Sequence, residues 1–191
     1  MRLTETALAG AFIVELDQLL DDRGFFARAF CAAEFAAAGL DARCAQANIC
    51  LNTTAGTLRG MHLQLPPRAE AKLVRCIRGA VLDVIVDVRP ESPTFGRHAS
   101  VELSSENRTA LFVPQLVAHG YQVLRDDTEL YYQMSEPYDP GFERGFRYDD
   151  PVFSIVWPRD VTLVSAKDLA WPDFRSALEP ELRESLQVSA P

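Results

Sequence analysis

The chain has 191 residues, and 48% of them are hydrophobic, which suits one globular domain with a full core. Its formal net charge of -8 argues against general nucleic-acid binding, which needs a basic surface. This charge does not exclude an anionic small molecule as a ligand, because a few cations can set the potential inside a cleft.

The sequence predicts a cytoplasmic protein with reduced thiols. The chain has no apolar run of about 18 residues, so we expect no membrane span. No basic stretch followed by an apolar block begins the chain, so we expect no signal peptide. Its four cysteines, Cys31, Cys44, Cys50 and Cys76, have no CxxC spacing and are expected to be mostly buried thiols.

The N-terminal part of the chain predicts edge strands and one short helix. Phe12–Val14 is the best strand candidate there. A turn over Asp21–Gly24 leads into a second strand at Phe25–Phe30. Ala32–Ala38 are strong helix formers and predict a short helix that ends at Gly39.

From Ala45 to Met134 the pattern is that of an all-β fold. Short apolar runs are separated by Pro, Gly, Asn and Asp, as expected for a sandwich or barrel. In the clearest strand, Ala80–Val88, the apolar even-numbered residues line one face, and Asp83 and Asp87 fall on the other. Short antiparallel strands with small flanking helices predict a jelly-roll barrel whose interior can hold a ligand.

Two strand pairings follow from the turns between neighbouring runs. We predict that Tyr121–Leu124 pairs with Glu129–Met134 across a polar turn. Leu58–Gln64 is predicted to pair with Lys72–Cys76 across a Pro-Pro turn. After these strands, residues 136–150 are predicted to be loop, and the tail is predicted to be partly helical.

The stretch between Leu58 and Cys76 carries most of the chemical information. His62 lies among apolar neighbours, and histidine is the side chain most suited to proton transfer near neutral pH. The alternative is a core histidine satisfied by the backbone. Lys72 shares strand parity with Val74, so its ammonium is expected to point inward, where it needs a partner or an anionic ligand. The alternative is a surface lysine.

Other candidate groups lie further along the chain. Tyr132 shares the apolar face of its strand with Leu130 and is expected inside the barrel, either as an acid or as a packing tyrosine. An aspartate such as Asp168 could fix the tautomer of a histidine, but the spacing does not show which one it meets. The three histidines lack a metal-site spacing, so the sequence favours metal-free acid–base chemistry.

Arg23 and Arg59 are candidate groups for holding an anion. Arg59 has the opposite strand parity to His62. Both can therefore reach one cavity only if Gly60 permits a bulge, or if Arg59 serves a partner subunit.

Ordered motifs run from Asp22 to Asp168, over most of the chain. They are Asp22-Arg23-Gly24-Phe25-Phe26, Gln46 with Asn48, Leu58-Arg59-Gly60-x-His62, Lys72-Leu73-Val74-Arg75, Asp83-Val84-x-Val86-Asp87, Glu91-Ser92-Pro93-Thr94-Phe95-Gly96, Glu102-Leu103-Ser104-x-Glu106-Asn107, Ala118-His119-Gly120, Tyr132, Glu143-Arg144-Gly145, Asp149-Asp150-Pro151, Trp157-Pro158 and Ser165-Ala166-Lys167-Asp168. By these motifs the chain resembles the dTDP-4-dehydrorhamnose 3,5-epimerase family.

The resemblance implies a single-domain cupin jelly roll that needs neither metal nor other cofactor. Its core would span residues 45–158, followed by a short helical segment over 159–191. The implied assembly is a homodimer in which the N-terminal strands, residues 1–30, are exchanged with the partner and complete its site. The implied ligand is a nucleotide-diphosphate sugar, and the implied reaction is epimerisation at C3, C5 or both of a 4-keto-6-deoxy sugar. Alternatives are a single-centre epimerase and a non-catalytic nucleotide-sugar-binding cupin.

The resemblance also implies a role for each site residue. His62 would remove the proton next to the C4 ketone, with Asp168 orienting it. Lys72 would stabilise the enolate oxygen, and Tyr132 would return a proton on the opposite ring face. The implied substrate-binding residues are Arg23, Gln46, Asn48, Arg59, His119, Tyr138 and Glu143.

The chain departs from the family pattern at several positions, and we expect several of these to border the substrate. They are Arg28 in place of Glu, Ile49 in place of a frequent His, Glu70-Ala71 in place of Gln-Gly, Leu116-Val117 in place of Gly-Phe, and Tyr148 in place of Trp. None of them removes a proposed acid or base.

Overall fold

The structure, a computed structural model, describes residues 1–188 and is dominated by short β-strands. The strands are β1 (Arg2–Glu5), β2 (Phe12–Glu15), β3 (Leu19–Asp21), β4 (Gly24–Phe26), β5 (Gln46–Asn52), β6 (Thr57–Gln64), β7 (Lys72–Arg78), β8 (Ala80–Asp87), β9 (His98–Ser104), β10 (Ala110–Val113), β11 (Val117–Val123), β12 (Thr128–Met134), β13 (Glu143–Gly145) and β14 (Leu163–Val164). The helices are α1 (Ala32–Ala37), α2 (Ala166–Leu169) and α3 (Leu178–Val188), with a 3-10 turn at Phe174–Ser176. Within the described part of the chain, no helix has the length and apolar character needed to cross a membrane.

Two sheets form the framework. Sheet I has the strand order β1-β2-β10-β7-β12-β5, and sheet II has the order β13-β6-β11-β8-β9. All neighbours in both orders are antiparallel, and β14 runs parallel beside β6 in sheet II. The predicted all-β jelly roll is therefore confirmed, with β3 and β4 forming a separate hairpin.

The main core lies between the inner faces of the two sheets. Val74 and Leu130 of sheet I are fully buried against Val81, Ile85 and Leu103 of sheet II. Burial of apolar surface of this kind is the dominant favourable term in folding. It holds the two sheets together and thereby fixes the walls of the cavity described below.

A second core covers the outer face of sheet II. Val84 and Val86 of β8 pack there against Phe146, Phe153 and Phe174 from the C-terminal part of the chain. As a result β8 is buried on both faces. The alternation predicted for this strand is confirmed, but the face that carries Asp83 and Asp87 is the interior one, and both carboxylates are fully buried.

Two predicted strand pairings are wrong. Strands β11 and β12 belong to different sheets, although a short turn joins them. Strands β6 and β7, which flank the Pro-Pro turn, are also in different sheets. In both cases the connection crosses from one sheet to the other, so each strand finds its partners far away in sequence. Local turn signals alone do not distinguish such a crossing from a hairpin.

Four further predictions concern the short helix, the second N-terminal strand, residues 136–150 and the cysteines. The predicted helix is observed as α1, with Gly39 after it at φ +73°. The strand predicted at Phe25–Phe30 ends at Phe26, because β3 offers only three paired residues. Residues 136–150 are not all loop, since they contain the short β13. All four cysteines are free, but only Cys76 is buried, so the expectation of mostly buried thiols is wrong.

A bulge in β6 answers the question of parity at Arg59. On β11, His119 lies opposite His62 and Tyr121 lies opposite Arg59, so β6 contains one more residue than its partner between these pairs. Gly60 supplies the extra residue, with φ at +130°. The bulge turns both Arg59 and His62 towards the interior, as the first of the two sequence-based alternatives requires.

We expect Gly60→Ala to destabilise the fold and disrupt the cavity. A Cβ at this position would lie 2.6 Å from the Cα of Gly120, in a backbone conformation that L-residues rarely adopt. Strain and overpacking together predict a loss of about 2–4 kcal/mol in the free energy of unfolding, measurable by urea denaturation. Gly96→Ala is the control, because Gly96 also has positive φ but open space around it. Equal losses in the two variants would contradict the close approach at Gly60.

Candidate active site

A cavity of about 570 Å³ lies between the two sheets. Both sheets and the segment around α2 contribute side chains to it. Ten of the eleven site residues predicted from the sequence line this cavity, namely His62, Lys72, Tyr132, Asp168, Gln46, Asn48, Arg59, His119, Tyr138 and Glu143. Arg23 is the exception.

His62 and Asp168 form a tight pair. The Nε2 atom of His62 lies 2.6 Å from Oδ1 of Asp168, whose side chain is almost fully buried. Asp168 is held in place by α2, because Ser165 caps this helix by accepting a hydrogen bond from the Asp168 backbone N–H. Burial alone would raise the pKa of Asp168, but hydrogen bonds from His62 and the Gly60 backbone keep it below its usual value.

Lys72 reaches the cavity from the opposite sheet. Lys72 is only 8% exposed, so the predicted inward orientation of its side chain is confirmed. The Nζ atom donates a hydrogen bond to the backbone carbonyl of His62 at 3.3 Å and forms an ion pair with Glu70 Oε1 at 3.0 Å. Because β6 and β7 lie in facing sheets, His62 and Lys72 meet across the cavity rather than along a ladder.

A second histidine–carboxylate pair lies beside the first. His119 and His62 are cross-strand neighbours, and Nε2 of His119 lies 2.9 Å from Oδ2 of Asp83. Sequence reasoning assigned no role to Asp83, because the alternation in β8 does not show which of its two faces is the interior one. Within residues 1–188, no group of three or more His, Cys, Asp or Glu side chains could hold a metal ion.

Tyr132 faces the cavity from sheet I, with a phenol beside Cys50 and Arg59. Burial raises the pKa of Tyr132, and the Cys50 thiol acts in the same direction, whereas the Arg59 cation acts against it. The phenol therefore stays protonated at neutral pH and can act as a proton donor. Arg59 is itself oriented by Asn52, whose side-chain oxygen accepts a hydrogen bond from Nε at 2.9 Å.

Polar contacts join the remaining lining residues. Glu143 accepts hydrogen bonds from the Tyr138 hydroxyl and from Nζ of Lys167, each at 2.7 Å. Burial would raise the pKa of Glu143, but these two bonds hold it below its usual value. Lys167 received no role from the sequence, although it lies in the motif next to Asp168. Its position in the same short helix as Asp168 is the feature of the sequence that could have indicated a role for Lys167.

Arg23 lies outside this cavity. Its side chain is 90% exposed and pairs with Asp21 on the β3–β4 hairpin. The same hairpin carries apolar side chains that face solvent in this chain, namely Leu19, Leu20, Phe25 and Phe26.

The departures from the family pattern lie mostly away from the cavity. Of the seven residues concerned, only Glu70 lines it. Ile49, for example, is 69% exposed on the outer face of sheet I, and Arg28 pairs with Glu34. We expected several of these residues to border the substrate, but only Glu70 lines the cavity of this chain.

The assembled groups suit proton transfer next to a carbonyl group. A carboxylate-oriented imidazole in sheet II can accept a proton, and an ammonium can hold the oxyanion that forms. A protonated phenol in sheet I faces the imidazole across the cavity and can deliver a proton from the other side.

Comparisons with known proteins agree with this chemistry. The family model described as dTDP-4-dehydrorhamnose 3,5-epimerase matches residues 5–176. A curated relative of that name from Sinorhizobium fredii is 45% identical over 155 residues, which cover 81% of this chain and 80% of the relative. The crystal structure of dTDP-4-dehydrorhamnose 3,5-epimerase from Elizabethkingia anophelis has a TM-score of 0.90 and 36% identity, covering 93% of this chain and 98% of that chain. A 3'-monoepimerase from Streptomyces bikiniensis, in complex with dTDP-quinovose, has a TM-score of 0.86 and 33% identity, covering 96% of this chain and 94% of that chain.

We expect the contribution of Asp168 to stability to depend on pH. The pKa of its carboxyl lies below the ordinary value of 3.8 in the folded protein, so its stabilisation is fully present above pH 3.8 and is lost as pH falls through the folded pKa. Asp168→Asn should cost about 1–3 kcal/mol of unfolding free energy at pH 7 and clearly less at pH 2.5, as measured by urea denaturation. Asp160→Asn, at an exposed position, is the control. An equal loss of unfolding free energy at both pH values would contradict a lowered pKa for Asp168.

Proposed function

This chain belongs to the dTDP-4-dehydrorhamnose 3,5-epimerase family, and we propose from that membership that its cavity epimerises a nucleotide-linked 4-keto-6-deoxy sugar by acid–base chemistry. The observation that carries the proposal is the facing arrangement of four groups. His62, with Asp168 behind it, lies on sheet II, and Lys72 and Tyr132 lie on sheet I. Inversion of a carbon centre needs groups on both sides of the ring, and the origin of these side chains in facing sheets supports such roles.

In the proposed reaction, His62 removes the proton from the carbon next to the C4 ketone. The electron pair of the broken C–H bond forms a double bond between that carbon and C4. The ketone thereby becomes an enolate, with the negative charge on its oxygen. Lys72 stabilises that oxygen, and Tyr132 donates a proton to the opposite face of the same carbon as the ketone re-forms. A general base gives about 10²–10⁴-fold, and one preorganised oxyanion donor gives roughly 3–4 kcal/mol.

The charges around the cavity favour a nucleotide-diphosphate sugar. Arg59 is exposed at the cavity wall and can pair with a diphosphate. Lys72 and Lys167 are further cations in the lining, and each is paired with a carboxylate, Glu70 or Glu143. Gln46, Asn48 and Tyr138 supply amide groups and an aromatic ring, which suit the nucleoside or the sugar hydroxyls.

Inversion of a single centre is the second candidate. The likeness to a 3'-monoepimerase favours it, because that protein shares the fold and a third of its sequence with this chain. A non-catalytic nucleotide-sugar binder is less well supported. Such a protein has no need of an oriented base, an oxyanion donor and a facing phenol in one cavity.

Solvent exchange tests the function directly. The protein is incubated with dTDP-4-keto-6-deoxyglucose in D₂O, and deuterium at C3 and C5 is followed by NMR. Uptake at both carbons supports the 3,5-epimerase, and uptake at one carbon supports the single-centre enzyme. If neither carbon exchanges, with this sugar or with related nucleotide sugars, the proposed function is refuted.

His62→Ala should abolish this exchange, with a loss of about 10²–10⁴-fold in rate, because the base is removed. The affinity for dTDP, measured by calorimetry, should stay largely intact. His98→Ala is the matched control, since His98 is exposed on the outer face of β9 and should leave the rate unchanged. Exchange at the wild-type rate in His62→Ala would mean that another group is the base.

The working form is proposed to be a homodimer with exchanged N-terminal strands. The β3–β4 hairpin of this chain exposes two leucines and two phenylalanines, and a contiguous apolar surface of this kind commonly marks an interface. Ile49 and Leu51 add exposed apolar surface on sheet I. Arg23, at the turn of that hairpin, would then reach the cavity of the partner rather than its own.

Mixed dimers test the exchange. Arg23→Ala and His62→Ala homodimers should each be impaired, and subunit exchange between them should restore activity. In a mixed dimer, the cavity with His62 would receive the intact Arg23 from its partner. Activity after mixing, measured by the exchange assay, should reach about a quarter of the wild-type rate if the subunits mix at random. No recovery after confirmed subunit exchange would mean that Arg23 does not act across the interface.

A further inference from the structure

We propose that Glu70 is a positioning residue that holds the ammonium of Lys72 at the oxyanion. This inference rests on the proposed function, in which Lys72 stabilises the enolate. Among the departures from the family pattern, Glu70 is the one that lines the cavity.

Both oxygens of the Glu70 carboxylate have a partner. Oε1 lies 3.0 Å from Nζ of Lys72, and Oε2 accepts a hydrogen bond from the backbone N–H of Gln64 at 3.1 Å. Glu70 is 5% exposed, so water does little to weaken its attraction for Lys72. Gln64 lies on β6, two residues after His62. The carboxylate therefore links the lysine of sheet I to the strand that carries the base.

The ammonium of Lys72 is held from two sides by protein oxygens. Glu70 lies on one side, and the backbone carbonyl of His62 accepts a hydrogen bond on another. A lysine ammonium has three N–H donors on a flexible stem, so without such contacts it would sample many directions. The donor that remains is the one available to a ligand in the cavity. Glu70 thus acts through Lys72 and need not touch the substrate.

A glutamine cannot reproduce this arrangement at the same place. Its side chain offers one acceptor oxygen and an NH₂ group, whereas two donors face Glu70 in this structure. In Glu70→Gln the NH₂ group would meet either the ammonium of Lys72 or the backbone N–H of Gln64. The ammonium would also lose its only carboxylate among the described contacts.

The test compares exchange rates and dTDP affinity in three variants. Glu70→Gln should lower the exchange kcat about tenfold or more, while the Kd for dTDP stays within about twofold of wild type. Glu70→Asp keeps two acceptors and the charge, and should recover at least half of the lost rate on a logarithmic scale. Glu181→Gln is the matched control, because Glu181 pairs with Arg144 outside the cavity. It should leave kcat unchanged.

The outcomes separate the inference from the function it rests on. A wild-type protein that exchanges no deuterium refutes the proposed function and this inference with it. Wild-type exchange with an unchanged kcat in Glu70→Gln refutes the inference alone. The inference is also refuted if dTDP affinity falls together with kcat in Glu70→Gln, or if Glu70→Asp recovers none of the lost rate. A purely structural ion pair would behave in that way.

Discussion

The interior of this protein depends on buried carboxylates that each have a basic partner. His62 with Asp168, Lys72 with Glu70, and His119 with Asp83 each combine a basic side chain with a carboxylate. A charge taken out of water alone would cost several kcal/mol, and a well-placed partner offsets much of that cost. The same contacts fix the directions in which the basic groups point. The same contacts therefore contribute both to stability and to the orientation of the basic groups.

The crossing between the sheets gives these pairs their geometry. If β6 and β7 formed a hairpin, His62 and Lys72 would be neighbours on a single surface. Because the Pro-Pro turn carries the chain to the other sheet, they instead reach one cavity from opposite sheets. The apolar contacts between the sheets set the width of that space. The arrangement of these side chains around the cavity thus depends on how the two sheets are joined.

The sequence predicted the parts of the site where strand parity is enough to place a side chain. Lys72 and Tyr132 alternate with residues that face away from the cavity, so strand parity located them correctly. Parity failed at Asp83, because β8 is buried on both faces and its polar residues give no sign of which face is the interior one. It was silent on Glu70, which lies just before β7 and outside any periodic pattern. Sheet membership was also missed, since it depends on contacts between residues distant in sequence.

The bulge at Gly60 changes which alternate residues of β6 face the cavity. Before it, the odd-numbered Arg59 faces the cavity, and after it the even-numbered His62 and Gln64 do so. Removing a single residue at this point would restore a uniform alternation and turn either Arg59 or His62 away from the cavity. The length of this segment is therefore as much a part of the site as the identity of its side chains. A relative that differs here by one inserted or deleted residue would have to compensate within the same strand to keep both side chains facing the cavity.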